Sequence, residues 1–491
     1  TDVLDTWFSS ALWPMSTLGW PEKTPDFKRY FPNSALVTGK DIIFFWVARM
    51  NMMAVHFEDQ LPYQNVYINP IVLDERGETM SKSKGNGIDP LVVVNGANLK
   101  DLENPVREAR PTNMKEILKR IEKNYPEGYE GVGADALRYT MIYMCSGGQQ
   151  LRISLNSFHD IGRRFMTKLW NAARFILMYL EQEAEKGGEV PANFDKHLTD
   201  EDRWIWARLQ LTTNKIRDCL DRYDFANLGQ IYYQYVWNDF CDWYIELSKV
   251  RLTSEDVVQR KTALHNLLAV FSQTIALLHP LIPFVTEELW EKILPIGDQY
   301  KLWGDKRPKT DILMMSEFPK AQDISDEQQE ILRNFDVLKE MVSEVRTLRK
   351  TYGVKESERL NASVLPLGKV AELVLTESVP TICRLSKLQS LNLLQDKKQK
   401  PARTITILNA EFEIYLDVSD HVDVDKEKAR LGKDIEKMTK QTSSLNKRLR
   451  NPGFLQNAKA EVVEEQREKL ALDQNQLKKL KTLLEDIQGW G

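Results

Sequence analysis

Val66-Tyr67-Ile68-Asn69-Pro70-Ile71-Val72-Leu73-Asp74-Glu75-Arg76-Gly77-Glu78-Thr79-Met80-Ser81-Lys82-Ser83-Lys84-Gly85-Asn86 reads as two short strands, a turn and a charged loop. Val66–Ile68 and Pro70–Leu73 are runs of β-branched and apolar residues bounded by turn formers, which predicts strands. Asp74–Gly77 reads as the turn that follows them. The loop Thr79–Asn86 gathers two ammonium groups, two Ser hydroxyls and a flexible Gly. Lys supplies point charge and Ser short donors, a combination suited to a polyphosphate. Phosphoryl and nucleotidyl transfer depend mostly on positioning and charge neutralisation. A solvated Ser/Lys loop is the plain alternative. Upstream, residues 41–56 are apolar almost all round, which predicts a buried helix. Strands alternating with helices indicate an α/β layer over residues 1–90.

Downstream the pattern changes. Residues 91–133 are polar and carry Pro105, Pro111 and Pro126, which suggests a surface excursion with one short helix, Met114–Lys123. From Gly133 to about Pro308 apolar residues recur at helical spacing, rich in Trp and Tyr, which predicts packed helices. Gly187-Gly188 and Pro191 mark a break between two helical groups. Thr199-Asp200-Glu201-Asp202 reads as a helix N-cap with acids in the first turn. His279-Pro280-Leu281-Ile282-Pro283-Phe284 reads as a proline-defined corner between two helices. Residues 326–352 predict another helix. Residues 360–420 alternate with period two, as in Thr404–Leu408 and Phe412–Leu416, which predicts a small α/β unit. Leu431, Ile435, Met438, Thr442, Leu445 and Leu449 then form an apolar stripe that Asn451-Pro452-Gly453 interrupts. Val463, Leu470, Leu477 and Leu484 recur every seven residues, with Leu480 and Ile487 in the second stripe. Two long helices joined by a turn predict an antiparallel coiled-coil hairpin.

The chain has 491 residues, and at roughly 150 residues per domain that suggests about three domains. It is 42% apolar and 28% charged, which excludes a mainly disordered chain. No apolar run approaches the ~18 residues of a membrane span. Cys145, Cys219, Cys241 and Cys383 are far apart, so neither a zinc site nor a disulfide framework is expected, and a reducing cytosol fits. The net charge is −4, which gives no whole-chain attraction for nucleic acid. The charge is uneven, however: residues 425–491 hold 15 Lys+Arg against 11 Asp+Glu, a net of +4, and the remaining 424 residues carry −8. Residues 426–450 alone hold nine basic and three acidic residues, so this arm is the candidate to follow an RNA backbone. The chain begins at Thr1 with no initiator Met and no signal peptide, and it reads as starting inside a larger protein.

Met80-Ser81-Lys82-Ser83-Lys84-Gly85-Asn86 resembles the KMSKS signature of class I aminoacyl-tRNA synthetases. Asp2-Val3-Leu4-Asp5-Thr6-Trp7-Phe8-Ser9-Ser10-Ala11-Leu12-Trp13-Pro14 and Gly39-Lys40-Asp41-Ile42-Ile43-Phe44-Phe45-Trp46-Val47-Ala48-Arg49-Met50 are similar to valyl-tRNA synthetases. Isoleucyl and leucyl relatives carry differently worded segments there, so isoleucine specificity is disfavoured. Further matches are Gly133–Arg138, Lys168–Ala172, Phe240–Glu246, His279–Trp290 and the turn Leu449–Phe454. The resemblance implies a mixed, mostly α fold. Residues 1–132 would be the second, C-terminal half of a Rossmann-type α/β nucleotide-binding domain, and 133–192 a helical connective, stem-contact region. Residues 193–320 would be the anticodon-binding bundle, 321–422 the small α/β domain, and 423–491 the coiled-coil arm.

The resemblance also implies roles. The loop would close over ATP as the aminoacyl-adenylate forms, with Lys82 on the phosphates and the leaving pyrophosphate. Met80, Ser81 and Ser83 would shape it. Thr79 stands where the family usually has its first Lys, a loss that Lys84 could offset. Asn69-Pro70 stands where a His-Gly often follows the strand. Gly39 and Asp41 would lie near the adenosine ribose, the alternative for Asp41 being a helix N-cap. Trp7, Ile42 and Trp46 resemble the walls of the valine pocket, the alternative being core aromatics. Such a pocket cannot strongly reject an isostere bearing a hydroxyl, hence the family's separate editing domain. ATP is the co-substrate, with Mg2+ expected and no metal ligands in this chain. Valine, ATP and tRNA-Val are the implied partners, of a cytoplasmic monomer without membrane contact. The tRNA candidates on the arm are Arg430, Lys433, Lys437, Lys440, Lys447, Arg448 and Arg450. The aromatic run Tyr232, Tyr233, Tyr235, Trp237, Phe240, Trp243 and Tyr244 could stack anticodon bases or form core. Arg346, Arg349 and Lys350 could meet phosphate or be a solvated face.

The second class I signature, HIGH, has no match here: there is no H-x-G-H, and His56, His159, His197, His265, His279 and His421 are isolated. The expectation is a fragment that carries the KMSKS loop and the tRNA-binding regions but does not activate valine by itself. A non-catalytic tRNA-binding protein derived from a synthetase is the competing reading.

Overall fold

The computed structural model describes residues 2–145, 150–186, 193–299, 301, 303, 307–320, 322–457 and 460–490. The break expected at Gly187-Gly188 and Pro191 lies outside them. A short helix, α1 (Thr6–Ala11), is capped by the Asp5 carboxylate accepting from the Trp7 amide. β1 (Asn33–Thr38) leads through a 3-10 turn (Lys40–Ile42) and a π-helical turn (Ile43–Val47) into α2 (Ala48–Glu58), which returns the chain to β2 (Tyr63–Ile68). β1 and β2 are parallel, with Leu36 opposite Val66 and Thr38 opposite Ile68. Parallel neighbours need such a crossover. Leu36, Val47, Met50 and Tyr63 pack between sheet and helix, and the Tyr63 hydroxyl donates to the Val47 carbonyl at 3.0 Å.

Residues 41–56 depart from the expected buried helix. The segment is broken into three kinds of turn, and only one side of it is covered: Val47, Met50 and Ala54 are buried, whereas Phe44 is 83% and Met52 70% exposed. An apolar periphery without periodicity normally signals burial all round; here the second side faces solvent.

β3 (Ile71–Leu73) follows directly and pairs in parallel with β4 (Gln150–Arg152). Between them run α3 (Leu99–Ala109), α4 (Met114–Asn124) and α5 (Ala134–Met144). The span of α4 agrees with the sequence pattern. α3 was hidden by Pro105, which removes one helical N–H and ordinarily breaks a helix. It persists because Asn98 caps it through the Asp101 amide and because Val106 is buried on its inner face.

Long helices follow: α6 (Arg164–Lys186), α7 (Asp200–Asp221), α8 (Phe225–Tyr233), α9 (Val257–Leu278) and α10 (Pro283–Gln299). α8 continues as a π-helical stretch, Gln234–Tyr244. The expected cap of α7 is a capping box between Thr199 and Asp202. Asp202 is buried and also accepts the Tyr244 hydroxyl at 2.7 Å. α9 is buried on nearly every side and forms the centre of this bundle, with Phe271 stacked on Phe240 at 5.7 Å.

The chain divides into two compact units, Thr1–Ile324 and Ser325–Gly491. The second opens with α11 (Asp326–Thr351), then β5 (Leu360–Pro366), α12 (Lys369–Ser386), β6 (Leu388–Leu393), β7 (Thr404–Leu408) and β8 (Phe412–Asp417). The sheet order is β6-β5-β8-β7, parallel only between β5 and β6. Two long helices close the unit, α13 (Val424–Leu449) and α14 (Ala460–Gln488). They pack along one another, with Leu431, Thr442 and Val463 buried between them. Gln441 donates to the buried Asp473 at 3.0 Å across that contact. The far end of α14 is tied to the sheet by Asp486, which accepts the Thr406 amide at 2.6 Å and pairs with Lys400. The fold is mostly helical, as expected.

Candidate functional site

The loop after β3 is held from below and open above. The Asp74 amide donates to the Glu78 carbonyl, and the Gly77 amide to the Asp74 carbonyl, both at 2.9 Å. Gly77 has φ +82, and a Cβ there would lie 2.9 Å from Arg152, so the expected turn requires glycine. The Asp74 carboxylate is the anchor: it accepts the amides of Arg76 (3.0 Å) and Glu78 (2.8 Å) and the Asn86 side-chain amide (3.0 Å). Burial opposes its ionisation, but these donors outweigh burial and hold the carboxyl below its usual pKa.

Asn86 in turn accepts the Ser81 amide at 3.0 Å and donates to the Thr79 carbonyl at 3.3 Å, which pins both ends of the loop together. Met80 points inward and packs against the cluster of Val93, Ile153 and Phe158. Lys82–Lys84 form a single 3-10 turn ended by Gly85 at φ +61, where a Cβ would lie 3.0 Å from the backbone of α3. The Ser81 and Ser83 hydroxyls lie 3.2 Å apart, and the exposed Lys84 reaches Glu78 at 3.2 Å. Lys82 is exposed on the same turn. Ammonium and hydroxyl groups thus crown a braced support, a donor set for anionic oxygens rather than for a metal. Behind the loop a cavity of about 160 Å³ is lined by Val106, Ile117, Ile121 and Ile153. Among the described residues no group of three or more His, Cys, Asp or Glu could hold a metal ion.

Trp7 and Trp46 each sit in an aromatic pair. Trp7 stacks on Phe45 at 5.7 Å, and Trp46 lies 6.2 Å from Trp13 and donates to the Ser10 carbonyl at 3.0 Å. Both are half-buried, and Ile42 ends the 3-10 turn that precedes the segment holding Trp46. Asp41 is exposed within that turn, whose N-cap is Gly39, so Asp41 is not a helix cap. A Cβ on Gly39 would meet nothing, and its backbone is extended.

Two of the quoted motifs meet in space. Asp135 accepts the Phe284 and Val285 amides at 3.4 and 2.6 Å, and Arg138 donates to the Leu281 and Pro280 carbonyls at 2.7 and 2.9 Å. One helix thereby clamps the proline corner and the start of α10. Burial raises the Asp135 pKa and lowers that of His279.

The aromatic run divides. Tyr232, Tyr235, Phe240, Trp243 and Tyr244 are buried core. Tyr233 and Trp237 are half-buried and stack at 5.3 Å, with the Lys168 ammonium 5.2 Å from the indole. Trp237 lines an open groove of about 430 Å³ with His159, Arg163, Arg164 and Lys168. The sequence reading did not single out this groove, although its bases recur on one helical face. They are paired with acids: Arg163 with Glu130, Arg164 with Asp160, Lys168 with Asp242.

The phosphate-contact reading fails for Arg349, which is buried; Arg346 and Lys350 are exposed. Arg346 donates to the Leu385 carbonyl at 2.9 Å. Arg349 is buried and donates to the carbonyls of Lys387, Lys355 and Glu358. Both join backbone segments of the second unit.

On α13, Lys433, Lys437, Lys440, Lys447, Arg448 and Arg450 are exposed, opposite the packed stripe. Arg430 differs, because it bridges Glu427 and Asp434 and these acids raise its pKa further. Lys440 pairs with Glu436, and the Arg448 guanidinium lies 4.6 Å from the Phe454 ring.

Three family profiles match in chain order. The tRNA synthetases class I (I, L, M and V) match residues 1–154, the anticodon-binding domain of tRNA ligase 202–364, and the valyl tRNA synthetase tRNA binding arm 423–488. The valine–tRNA ligase of Treponema denticola is 37% identical over 99% of this chain and 49% of its own length. That of Neisseria meningitidis serogroup B is 36% identical over 98% and 50%. That of Thermotoga maritima is 37% identical over 99% and 49%. A leucyl-tRNA synthetase complex from Agrobacterium radiobacter K84 superposes loosely, with a TM-score of 0.44 at 16% identity over 78% of this chain and 39% of its own. The chain spans about half the length of the curated relatives it matches. With profiles in order and relatives aligned along nearly all of it, the chain belongs to the valyl-tRNA synthetase family.

Proposed function

We propose that the chain works in the ATP-dependent joining of valine to tRNA-Val, as the part of the enzyme that carries the KMSKS loop, one wall of the valine pocket and the tRNA-binding surfaces. The observation that carries this reading is the braced loop: Asp74 and Asn86 tie its ends while Ser81, Lys82 and Ser83 stay at its open side. In the reaction the valine carboxylate attacks the α-phosphorus of ATP, and pyrophosphate leaves. Lys82 neutralises charge on the leaving group, and Ser81 and Ser83 donate short hydrogen bonds to it. Met80 fixes the loop base. A Mg2+ ion would arrive with ATP, since ATP phosphates commonly supply part of its coordination.

The open space at Gly39 supports close approach of the adenosine, with the exposed Asp41 accepting from ribose hydroxyls. Trp7, Ile42 and Trp46 form a rigid wall that limits side-chain size by overlap. The fold divides functionally as residues 1–132, 133–192, 193–320, 321–422 and 423–491: half of a Rossmann-type domain, a connective region, an anticodon-binding bundle, a small α/β domain and an antiparallel coiled-coil arm. The bases of that arm follow RNA phosphates, and the half-buried Trp237 and Tyr233 are the rings of the aromatic run left to stack bases.

We expect this chain to bind tRNA-Val more tightly than a non-cognate tRNA, with affinity falling as salt rises. We also expect no valine-dependent ATP–pyrophosphate exchange from it alone. Equal binding of both tRNAs at low salt would leave only an electrostatic arm. Robust exchange by the chain alone would refute the fragment reading.

A further inference from the structure

The cavity behind the loop takes no part in the proposed chemistry. It lies between the underside of the loop support, at Asp74, Gly85 and Asn86, and the helices α3 and α4. Protein interiors leave few voids larger than a water molecule, and unfilled apolar space is destabilising. At about 160 Å³ this one has room for a six-membered ring, since an engineered apolar cavity of about 150 Å³ holds benzene. Its walls divide by chemistry. The buried Val106, Ile117 and Ile153 and the half-buried Ile121 give an aliphatic floor. The rim is rich in acceptors. Asp74, Glu75, Asp89 and Asp101 line it against one base, Arg120, which is already paired with Glu75 at 3.2 Å. Asp74 and Asp89 hold backbone amides, whereas the Asp101 carboxylate is exposed and has no hydrogen bond or ion pair among the described residues. Pro105, also in the wall, has no N–H to donate to the Asp101 carbonyl one turn back. Tyr125 adds a half-buried ring. Carboxylates beside an aromatic ring suit an organic ammonium group, which carries donors and no acceptor.

We infer that this cavity is a binding site for a small primary amine with a one-ring apolar body, the ring on the floor of Val106, Ile117 and Ile153 and the ammonium at Asp101 and Tyr125. Such a ligand spans from α3 and α4 to the loop support. Gly85 already packs so closely on α3 that a Cβ there would lie 3.0 Å from the Val106 backbone. Filling the space beside that contact holds α3 and the base of the loop as one body. The ligand therefore stiffens Thr79–Asn86 from below, while Ser81, Lys82 and Ser83, which do not line the cavity, stay open above. The site stands on the geometry of the cavity alone; only a consequence for ATP chemistry would rest on the proposed function.

The test titrates this chain at neutral pH with benzylamine, benzyl alcohol and benzoate, which share a ring and differ in charge. Benzylamine should bind saturably with a Kd on the order of 1 mM, within the efficiency bound for so small a ligand. It should raise the melting temperature and slow amide exchange over residues 79–86. Benzyl alcohol should bind at least threefold more weakly, and benzoate not at all. Asp101→Asn should weaken benzylamine at least threefold and leave benzyl alcohol unchanged, which also shows that the variant is folded. Ile121→Trp, which fills the cavity, should abolish binding of both. No saturable binding of benzylamine, or equal binding of benzoate, would overturn the inference. Equal binding of benzyl alcohol and benzylamine would remove the ammonium site and overturn it in favour of a plain apolar void. Benzylamine binding that survives Ile121→Trp in a chain that still melts cooperatively would place the ligand elsewhere and overturn it too. None of these readouts involves ATP, valine or tRNA, so failure of the proposed function would leave them untouched.

Discussion

Asp74 shows how one buried carboxylate organises a loop whose conspicuous residues are all on the outside. It accepts three hydrogen bonds, two from amides of its own turn and one from Asn86 at the far end of the loop. An Asp74→Asn variant would set its amide donors against those of Asn86, or flip and lose the turn amides. Hydrogen bonds to a charged group contribute about 1.5–3 kcal/mol each, so the variant should destabilise the loop by a few kcal/mol. Because the folded pKa of Asp74 is depressed, its contribution is complete above about pH 4, the unfolded value. It is lost as the pH falls through the folded value. The stability gap between parent and variant should therefore be flat near neutrality and close in acid; a gap that persists unchanged at pH 3 would remove Asp74 from this role. At this scale the sequence exposed the Ser and Lys residues because their chemistry is explicit. It did not expose the roles of Asp74, which closes its own turn and holds the Asn86 side chain, or of Arg349, whose partners are backbone carbonyls as far off as Lys387.

At the scale of elements, periodicity was legible where one face packs and the other is wet. The stripe Leu431, Ile435, Met438, Thr442, Leu445 and Leu449 is the side of α13 that meets α14, and its exposed face carries the bases. Leu431 is fully buried, so Leu431→Ala should cost about 2–5 kcal/mol. Its first effect should be faster amide exchange along α13 and α14, with the tie of Asp486 to β7 still intact; unchanged exchange would mean that the seam does not stabilise the pair. Periodicity misled in two places, each for a physical reason. Pro105 hid α3, whose cap and buried Val106 override the local cost. Residues 41–56 predicted burial from composition alone, but the π-helical turn rotates Phe44 and Phe45 outward. The cap of α7 and the proline corner were legible because their partners are local in sequence. The Asp135–Arg138 clamp on that corner was not, since about 150 residues separate the partners.

For the whole molecule the informative quantity is the segregation of charge, −8 over residues 1–424 and +4 over 425–491. An acidic body with a basic arm should bind RNA through the arm and repel it elsewhere, and the salt dependence of binding then counts the phosphates the arm neutralises. Lys433, Lys437 and Lys447 are exposed on α13, whereas Arg430 already shares its charge with Glu427 and Asp434. Each phosphate contact contributes about 0.7–0.9 to the slope of log K against log salt. A Lys433→Gln/Lys437→Gln/Lys447→Gln variant should therefore flatten the slope by about 2–3. It should do so equally for tRNA-Val and a non-cognate tRNA, because phosphate contacts position without reading sequence. Arg430→Gln should leave the slope nearly unchanged and lower the stability of α13 instead. If the triple variant keeps the parent slope, the arm is a solvated hairpin and RNA affinity comes from the bundle. The half-exposed Trp237 and its paired groove of Arg163, Arg164 and Lys168 would then be the surface to alter next, with exchange of Trp237 for Ala expected to weaken stacking without changing the slope.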